Sequence, residues 1–568
     1  MNKVAIRFEN FTFRYNSQIE PTLTDINISI YQGEKLLIIG PSGSGKSTFG
    51  HCINGLIPFS YTGDVTGKLE VMGEDASKLG IFGLSKHVGT VLQDSDSQFI
   101  GLTVGEDIAF SMENECVETA VMKQRVQESA LLVGMEDFLA ANPHQLSGGQ
   151  KQRVSLAGVM VDEVDILLFD EPLANLDPAT GKYAIELIDD LQKQTGKTII
   201  IIEHRLEDVL HRGADRVILF DEGRIIADMS PAELLAGDIL GRSGIREPLF
   251  VSALKKAGCP IQAEDHPEDI GVYNLKPHRE KILSWARQDE IGEVRKPGAD
   301  ILEVKNLEFR YQSGTRAIKG ISFKVKQGEM LAIVGKNGAG KSTLSKLICG
   351  MEKADGGAIY YDGCDISADT IKERSMRIGF AMQNPNHMIS KTMIFDEVAL
   401  GLRAMKIPEE VIRQRVENTL KICGLHPFRN WPIAALSYGQ KKRVTIASIL
   451  VMEVKILILD EPTAGQDYRH YTEIMEFLRS LNEESGITII MITHDMHLAL
   501  EYTDRAIVVA DGLMIADSAV TKIFSDEEVI AAANLKKTSL YDLATKLGIS
   551  PEVFTRRFIS AERGTDQR

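Results

Sequence analysis

Short apolar runs separated by longer amphipathic stretches recur along most of the 568-residue chain. Runs such as Lys35–Ile39, Met330–Val334 and Thr198–Ile202 have the length of a β-strand, and the first two lead through a glycine-rich turn into a helical stretch. Near-continuous apolar strands that alternate with helices are typical of a parallel sheet covered on both faces. The pattern therefore predicts an α/β fold, with a β-rich part at the start of each half and a helix-rich stretch inside it.

The second half of the chain repeats the first. Lys46 and Lys341, which end matching glycine-rich turns, are 295 residues apart, whereas Ser147 and Ser437 further along are 290 apart. The first half is therefore longer by five residues, around 57–63. Because a chain of this length is too long for one hydrophobic core, the duplication predicts two separate α/β domains.

The tails of the two halves also correspond, since Leu254–Gly258 resembles Ala544–Gly548. Each half is therefore predicted to end in a small helical appendage, and a polar, acidic linker follows the first one. The predicted segments are a first α/β domain (1–242), a helical appendage with the linker (243–299), a second α/β domain (300–523) and a C-terminal helical appendage (524–568).

Composition and charge exclude several classes of protein. The apolar runs are shorter than the ~20 residues of a membrane-spanning helix, and the first residues lack the apolar core of a secretion signal. Six cysteines form no Cys-x-x-Cys motif, so we expect small buried thiols in a reducing compartment rather than a metal cage or a disulfide framework. A net charge of −16 argues against broad adhesion to nucleic acid or anionic lipid.

Two glycine-rich motifs carry the main candidate chemistry. The segments Gly40–Ser47 and Gly335–Ser342 both match G-x-x-x-x-G-K-S between an apolar strand and a helical stretch. In that setting the glycines let backbone N–H groups converge on phosphates, and the helix N-terminus adds a positive dipole end. Lys46 and Lys341 would neutralise the β- and γ-phosphates of ATP, while the serine after each lysine would hold Mg²⁺.

A second motif, led by serine, follows in each half: Leu146-Ser-Gly-Gly-Gln150 and Leu436-Ser-Tyr-Gly-Gln440. Together with the glycine-rich motifs, it resembles the ATP-binding cassette (ABC) ATPase family over nearly the whole chain. The resemblance implies two P-loop NTPase domains in tandem, in which the signature serine of one domain grips the γ-phosphate of ATP held by the other. Two composite sites would follow, one joining the first P-loop to Ser437 and one joining the second P-loop to Ser147.

The resemblance also gives roles to paired residues at the ends of later strands. Asp170 and Asp460 would support Mg²⁺, while Glu171 and Glu461 would orient and polarise the attacking water as general bases. Further pairs would act at the γ-phosphate (His204, His494), at Mg²⁺ and the attacking water (Gln93, Gln383), between the two sites (Asp177, Asp467) and against adenine (Tyr15, Tyr311).

The candidate ATP contacts also include the full P-loops and signatures. In the first half these are Gly40, Pro41, Ser42, Gly43, Ser44, Gly45, Lys46, Ser47, Thr48, Ser147, Gly148, Gly149 and Gln150. In the second half they are Gly335, Lys336, Asn337, Gly338, Ala339, Gly340, Lys341, Ser342, Thr343, Ser437, Tyr438, Gly439 and Gln440. The candidate Mg²⁺ ligands are Ser47, Gln93, Asp170, Ser342, Gln383 and Asp460.

Two further segments, Gln383–Asn386 and Glu203–Leu206, resemble the energy-coupling-factor (ECF) group of ABC ATPases, although the first half departs from the usual Gln-Asn-Pro-Asp. That resemblance implies a membrane scaffold (T-type) protein and a small substrate-binding (S-type) membrane protein as partners, with this chain at the cytoplasmic face of the membrane. Fused double ATPases of this type are similar to importers of vitamins or their precursors, including the hydroxymethylpyrimidine/thiamine type. We expect no nucleic-acid partner and no direct contact with the imported solute.

Three other kinds of double ABC ATPase are alternatives. Ribose-type sugar importers commonly have one degraded site, whereas both P-loop lysines and both strand-end glutamates are present in this sequence. Ribosome-acting ABC proteins typically have a long, charged helical hairpin between the domains, whereas the linker region here duplicates the C-terminal tail. DNA-repair ATPases need long coiled-coil insertions between P-loop and signature, and the sequence has none.

The two sites are predicted to be unequal. Tyr438 replaces a glycine at a point where the backbone is expected to approach phosphate closely, which favours glycine. We therefore expect the site that combines Lys46 with Ser437 to hydrolyse ATP more slowly. Comparing Glu171→Gln with Glu461→Gln in the assembled complex measures this: both variants should still bind ATP, and equal residual turnover would contradict the asymmetry.

Overall fold

The computed structural model describes residues 3–92, 98–146, 148–174, 176–288, 298–312, 314–464 and 466–565. The chain divides into two compact units, Met1–Lys281 and Ile282–Arg568, each described by itself below. In these described ranges, no helix has both the length and the apolar character needed to cross a bilayer.

The first unit contains ten strands and most of its helices lie between them. The strands are β1 (Val4–Tyr15), β2 (Leu23–Tyr31), β3 (Lys35–Ile39), β4 (Gly63–Val71), β5 (Glu74–Asp75), β6 (Val88–Val91), β7 (Ile166–Asp170), β8 (Thr198–Ile202), β9 (Arg216–Asp221) and β10 (Arg224–Met229). The helices are α1 (Lys46–Ile53), α2 (Leu56–Phe59), α3 (Ala76–Ser85), α4 (Val104–Asn114), α5 (Thr119–Leu132), α6 (Gly148–Met160), α7 (Pro178–Thr195), α8 (Leu206–Leu210), α9 (Pro231–Ala236), α10 (Ile239–Arg242), α11 (Leu249–Lys256) and α12 (Arg279–Ala286), the last of which continues into the second unit.

The second unit repeats this order. Its strands are β11 (Asp300–Arg310), β12 (Arg316–Lys326), β13 (Met330–Val334), β14 (Gly356–Tyr361), β15 (Cys364–Asp365), β16 (Ile378–Ala381), β17 (Ile456–Asp460), β18 (Thr488–Thr493), β19 (Arg505–Ala510) and β20 (Leu513–Ala519). Its helices are α13 (Lys341–Ile348), α14 (Ile371–Ser375), α15 (Ile394–Ala404), α16 (Glu409–Ile422), α17 (Tyr438–Leu450), α18 (Tyr468–Ser485), α19 (Met496–Tyr502), α20 (Val520–Ile523), α21 (Glu527–Ala532), α22 (Ser539–Leu547) and α23 (Pro551–Thr565).

Each unit has two sheets. A four-stranded antiparallel sheet, ordered β2-β1-β4-β5 in the first unit and β12-β11-β14-β15 in the second, covers a six-stranded sheet. The larger sheet is ordered β10-β9-β3-β8-β7-β6 and β20-β19-β13-β18-β17-β16, and all its pairs are parallel except the outer hairpin β9-β10 or β19-β20. The predicted parallel α/β core with a β-rich N-terminal part is confirmed in both halves.

The central strands explain the apolar runs of the sequence. Every residue of β3, β8 and β13 is buried, as expected for strands covered on both faces. Strand β8 lies between β3 and β7, so the ends of all three meet at one edge of the sheet. This strand order brings together the loops that follow Ile39, Asp170 and Ile202.

The helical appendages follow the last hairpin of each unit. In the second unit, Trp285 of α12 lies edge-on to Phe554 of α23, with the ring centroids 5.6 Å apart, and both side chains are buried. The division between the units falls inside α12. The segment boundaries at 242/243, 299/300 and 523/524 stay predictions.

The expectation that the cysteines are buried is wrong for two of them. Cys116, after α4, and Cys364, in β15, are exposed, while the other four are buried. All six are free thiols. Burial raises the pKa of Cys349 and Cys423 to about 12, so these buried thiols are poor nucleophiles.

Replacing Phe554 with alanine should destabilise the second unit by about 3–5 kcal/mol, because the substitution removes a fully buried ring and leaves a cavity beside Trp285. The chain has two tryptophans, and Trp431 is exposed, so Trp431→Phe leaves Trp285 as the reporter. Denaturant unfolding followed by Trp285 fluorescence measures the change. An unchanged midpoint in Phe554→Ala would show that this contact is not stabilising.

Candidate functional site

The P-loop lysines are held by backbone carbonyls at the edge of the parallel sheet. Lys46 Nζ donates to the carbonyls of Gly40 at 2.8 Å and Pro41 at 2.7 Å. Lys341 makes the two matching bonds within its own loop, at 2.7 and 2.9 Å. Both lysines are buried, and each is the first residue of its helix, α1 or α13. Each ammonium therefore lies at a helix N-terminus, where phosphate binds best.

The loop around each lysine has room for a phosphate. A Cβ added to Gly43 (φ +78°) or Gly338 (φ +77°) would meet nothing within 4 Å. By contrast, a Cβ on Gly45 would lie 2.9 Å from the side chain of Leu23, so that glycine is needed for close packing. Ser44 Oγ is buried and has no hydrogen-bond partner within the described residues. An open loop of this kind, rich in hydrogen-bond donors, fits the phosphates of a nucleoside triphosphate.

A serine and a carboxylate approach each other at the position predicted for Mg²⁺. Ser47 Oγ lies 3.3 Å from Asp170 Oδ1, and Ser342 Oγ lies 3.4 Å from Asp460 Oδ1. Burial raises the pKa of both aspartates, so a cation beside them would offset a real desolvation cost. Mg²⁺ keeps several water or phosphate oxygens in its shell, so two protein oxygens fit it.

The structure describes one of the two glutamines that the family resemblance assigns to the loop called the Q-loop, Gln93 and Gln383. Gln93 lies outside the described residues. Gln383 is exposed, and its backbone carbonyl accepts a hydrogen bond from the Tyr438 hydroxyl at 3.3 Å. The structure does not bring the Gln383 side chain to the serine–aspartate pair through any hydrogen bond among the described residues, so its role at Mg²⁺ stays a prediction.

The predicted catalytic glutamates have the same unusual backbone in both halves. Glu171 has φ +48° and Glu461 has φ +47°, in the left-handed region that non-glycine residues rarely adopt. Each is fixed there by its N–H, which donates at 2.9 Å to the carbonyl of Ile202 or Ile492 on the neighbouring strand. Backbone strain of this kind concentrates at functional sites, where it directs a side chain.

In the second half, the strand after the glutamate holds its carboxylate directly. His494 Nδ1 lies 2.7 Å from Glu461 Oε1, and the Thr493 hydroxyl donates to Glu461 Oε2 at 3.3 Å. The side chains of Glu461 and His494 are 13% and 16% exposed, so this pair is largely removed from water. The family resemblance predicts that His494 serves the γ-phosphate, and the structure adds a contact between His494 and Glu461, the predicted general base.

In the first half a buried carboxylate takes the place of that threonine. Glu203 is fully buried, and its carboxylate accepts backbone N–H bonds from His204 and Leu173 at 2.9 and 3.2 Å. His204 Nδ1 lies 3.1 Å from Glu203 but 4.0 Å from Glu171. Burial raises the pKa of Glu171; His204 acts against this rise and Glu203 adds to it. The two glutamates that are predicted to be catalytic therefore have different surroundings.

The signature serine of the second half caps the N-terminus of helix α17. Ser437 Oγ accepts from the Gln440 N–H at 3.2 Å, and the Gln440 side chain accepts from the Ser437 N–H at 3.0 Å, which forms a capping box. Tyr438 is the first residue of α17 and has no left-handed backbone, so its conformation does not require glycine. The close approach of its backbone to phosphate stays a prediction. Slower hydrolysis at that site stays a prediction.

The first signature is described only in part. Ser147 lies outside the described residues, and Gly148 begins α6. A Cβ on Gly149 would lie 2.3 Å from the Thr180 side chain at the start of α7, so close packing between the two helices requires glycine at that position.

The remaining predicted pairs make bonds within their own half. Asp177 caps α7 by accepting from Thr180 N–H at 3.0 Å, and Asp467 caps α18 in the same way. Tyr15 Oη lies 3.1 Å from Thr48 Oγ1, and the corresponding Tyr311 bond in the second half is 2.9 Å long. Both tyrosine rings thus lie beside the first turn after the P-loop, which agrees with a position near the nucleotide.

Three residues of the site were missed from the sequence. The sequence motifs assign no role at the site to these three, Glu203, Lys442 and Tyr61. The Tyr61 ring stacks on His51 at 5.1 Å and lies 6.5 Å from Tyr15. In the sequence, the signal that marks these residues is a difference between the aligned halves, since Glu203 corresponds to Thr493, Lys442 corresponds to Gln152, and Tyr61 lies among the extra residues of the first half.

Known proteins resemble this chain over almost its whole length. The ABC transporter family model matches residues 23–174 and 318–464, and a model described as ATP-binding cassette cobalt transporter matches 237–309. ABC transporter ATP-binding proteins from Clostridium perfringens and Vibrio vulnificus are 55% and 53% identical, each over 99% of this chain and over 99% and 98% of their own. A solved structure of cbiO1 from Clostridium perfringens is 41% identical and covers 43% of this chain and 99% of its own, with a TM-score of 0.39.

These matches define the class of protein. The chain belongs to the ABC transporter family. More narrowly, it is a tandem ABC ATPase that resembles the ECF group, with both nucleotide-hydrolysing domains in one polypeptide.

Removing the charge of Glu203 should shift the pH dependence of the first catalytic centre. Glu203→Gln lowers the pKa of Glu171, because one of the causes that raise it is lost. In a Glu461→Gln background, the acidic limb of the pH–kcat profile should therefore move to lower pH, since the base stays ionised further down. In a Glu171→Gln background the same change should leave the profile in place, and a shift there would contradict this account.

Proposed function

We propose that this chain is the ATP-hydrolysing subunit that energises import of a small solute through separate membrane proteins of an ECF-type ABC transporter. The observation that carries the proposal is the duplication of one full geometry. In each half a P-loop lysine, a serine–aspartate pair and a strained glutamate next to a histidine meet at the same sheet edge. Two intact centres in one chain favour this function over the ribose-type importer.

The described residues suggest how each centre works. Lys46 and Lys341 neutralise the triphosphate, and the P-loop N–H groups bind its oxygens. Mg²⁺, when bound, neutralises charge between the β- and γ-phosphates; Ser47 with Asp170, or Ser342 with Asp460, would hold it. Most of the rate acceleration then comes from positioning and charge neutralisation rather than covalent chemistry.

The two strand-end glutamates would take up the proton of the attacking water. Glu171 and Glu461 accept it as general bases, and the nearby histidines, His204 and His494, contact the γ-phosphate. Each ATP is proposed to lie between the P-loop of one half and the signature of the other, so that Ser437 serves the first P-loop and Ser147 the second. Hydrolysis would then release the two halves from each other.

The proposed partners are a T-type membrane scaffold and a small S-type substrate-binding membrane protein, which place this chain at the cytoplasmic face of the membrane. Two kinds of solute are candidates. The subgroup resemblance favours a vitamin precursor of the hydroxymethylpyrimidine/thiamine type. The match of residues 237–309 to a family described as ATP-binding cassette cobalt transporter favours a cobalt ion.

Recovering the tagged chain from detergent-solubilised membranes, with its partners, and reconstituting the complex in vesicles tests the proposal. ATP-dependent uptake of labelled thiamine precursor or of Co²⁺ should be seen for one of the two. The matched control, Glu171→Gln with Glu461→Gln, should assemble and bind ATP yet transport at least a hundredfold more slowly, roughly the contribution of a general base. Recovery with ribosomes instead of membrane proteins would contradict the proposal.

A further inference from the structure

The signature helix of the second half carries two side chains that the first half lacks. Tyr438 begins α17, and Lys442 follows one turn later on the same face. At the matching positions of α6 the first half has Gly148 and Gln152. Glycine has no side chain, so any contact made by the Tyr438 ring is particular to the second half.

Tyr438 connects the signature helix to the Q-loop of its own half. Its hydroxyl donates to the backbone carbonyl of Gln383 at 3.3 Å. The ring is half-buried, and the Lys442 ammonium lies 5.4 Å from the ring centroid, within cation–π range. Tyr438 therefore touches both the segment before α15 and the next turn of its own helix.

Lys442 connects the same helix to the loop that carries the catalytic glutamate. Its side chain is buried, and Nζ donates to the carbonyl of Pro462 and lies 3.5 Å from the carbonyl of Glu461. Burial lowers the pKa of Lys442 to about 8, while Glu461 acts in the opposite direction. In the first half, Gln152 Nε2 bonds the carbonyl of Pro172 at 2.5 Å. In both halves a side chain of the signature helix thus bonds to the loop after the glutamate, but in the second half the donor is an ammonium and in the first it is an amide.

The Glu461 carbonyl is therefore contacted from two sides. Ala464 N–H donates to this carbonyl oxygen at 3.2 Å, and the Lys442 ammonium lies 3.5 Å from the same oxygen. Because the Glu461 backbone is strained, these contacts help to keep the carboxylate directed at the reaction. Small displacements of a catalytic group reduce rates strongly.

We propose that Tyr438 and Lys442 form a brace that sets the position of Glu461 according to the position of the Q-loop in the same half. They are positioning residues for the centre built on Lys341 and Glu461, and this inference rests on the role proposed above for Glu461. The tyrosine of the second signature then does more than narrow the approach to phosphate. Tyr438 links this centre to the Q-loop of its own half. The first half has glycine, Gly148, at the matching position of its helix and therefore cannot form this link.

The brace and a direct effect on phosphate act at different centres. The signature of the second half is proposed to serve ATP on the first P-loop, whose general base is Glu171. The brace acts on Glu461. Replacing one glutamate with glutamine separates these two effects. In Glu171→Gln, the remaining ATP hydrolysis comes from the centre with Glu461, and in Glu461→Gln it comes from the centre with Glu171.

Steady-state hydrolysis by the full chain in its membrane complex tests the brace. In the Glu171→Gln background, Tyr438→Phe and Lys442→Gln should each lower kcat about threefold to tenfold, as expected for losing one hydrogen bond, with KM changed less than about twofold. Because the two residues act as one unit, the double variant should be no slower than the worse single variant. Lys442→Gln should fold normally, since glutamine occupies the matching position of the first half.

In the Glu461→Gln background, where the glutamate held by the brace is already replaced, Lys442→Gln should lower kcat less than about twofold. Lys421→Gln, which removes an exposed charge on α16, is the matched control and should be silent in both backgrounds. Equal losses in both backgrounds, multiplicative losses in the double variant, or no loss in the Glu171→Gln background would overturn the brace.

A second measurement tests the brace if Glu171→Gln or Glu461→Gln alone abolishes ATP hydrolysis. Amide hydrogen exchange in the nucleotide-free full chain should be about tenfold faster over 461–464 in Lys442→Gln and in Tyr438→Phe, and unchanged over 171–174, because the loop then opens locally more often. Unchanged exchange over 461–464 overturns the brace. If ATP hydrolysis persists in the variant with both glutamates replaced, the role proposed for Glu461 is wrong, and the brace is wrong with it. If that variant is inactive but Tyr438→Phe and Lys442→Gln do not lower kcat in the Glu171→Gln background, only the brace is wrong.

Discussion

Strand order in the buried parallel sheet is the constraint on which both centres depend. Strand β8 lies between β3 and β7, and all three are buried along their whole length up to the edge of the sheet, where polar groups must be placed. Lys46, Asp170 and His204 are adjacent because their strands are adjacent. An ammonium or a carboxylate at such an edge is costly unless it is paired, and a bound triphosphate with its cation supplies the missing charges.

Duplication preserved this constraint and changed what surrounds it. The P-loop bonds, the serine–aspartate distances and the left-handed glutamates agree closely between the halves. The differences are one layer further out, where Glu203 stands in place of Thr493 and Lys442 in place of Gln152. The histidine consequently contacts the general base in one half and a buried carboxylate in the other. The residues proposed to bind phosphate are thus arranged alike in the two halves, whereas the surroundings of the two proposed bases differ.

The sequence predicted the fold and most of the centre, since these depend on local patterns. Fully apolar strands, the spacing of the glycines and the serine that begins α17 are determined within a few residues of chain. The environment of Glu203 and the contacts of Lys442 depend on which loops fold back onto them, and no spacing encodes that. The same limit applies to Tyr438, because a signature motif does not show that its third residue is already helical. Two predicted residues, Gln93 and Ser147, lie outside the described part of the chain, and their placement stays a prediction.

The distribution of thiols has a practical consequence. Of the six cysteines, Cys116 is exposed in one unit and Cys364 in the other, while the remaining four are shielded. A maleimide dye would therefore react first at one natural point on each half, without any engineered substitution. Donor and acceptor dyes placed there would let a single-molecule experiment follow the distance between the halves through successive rounds of nucleotide turnover.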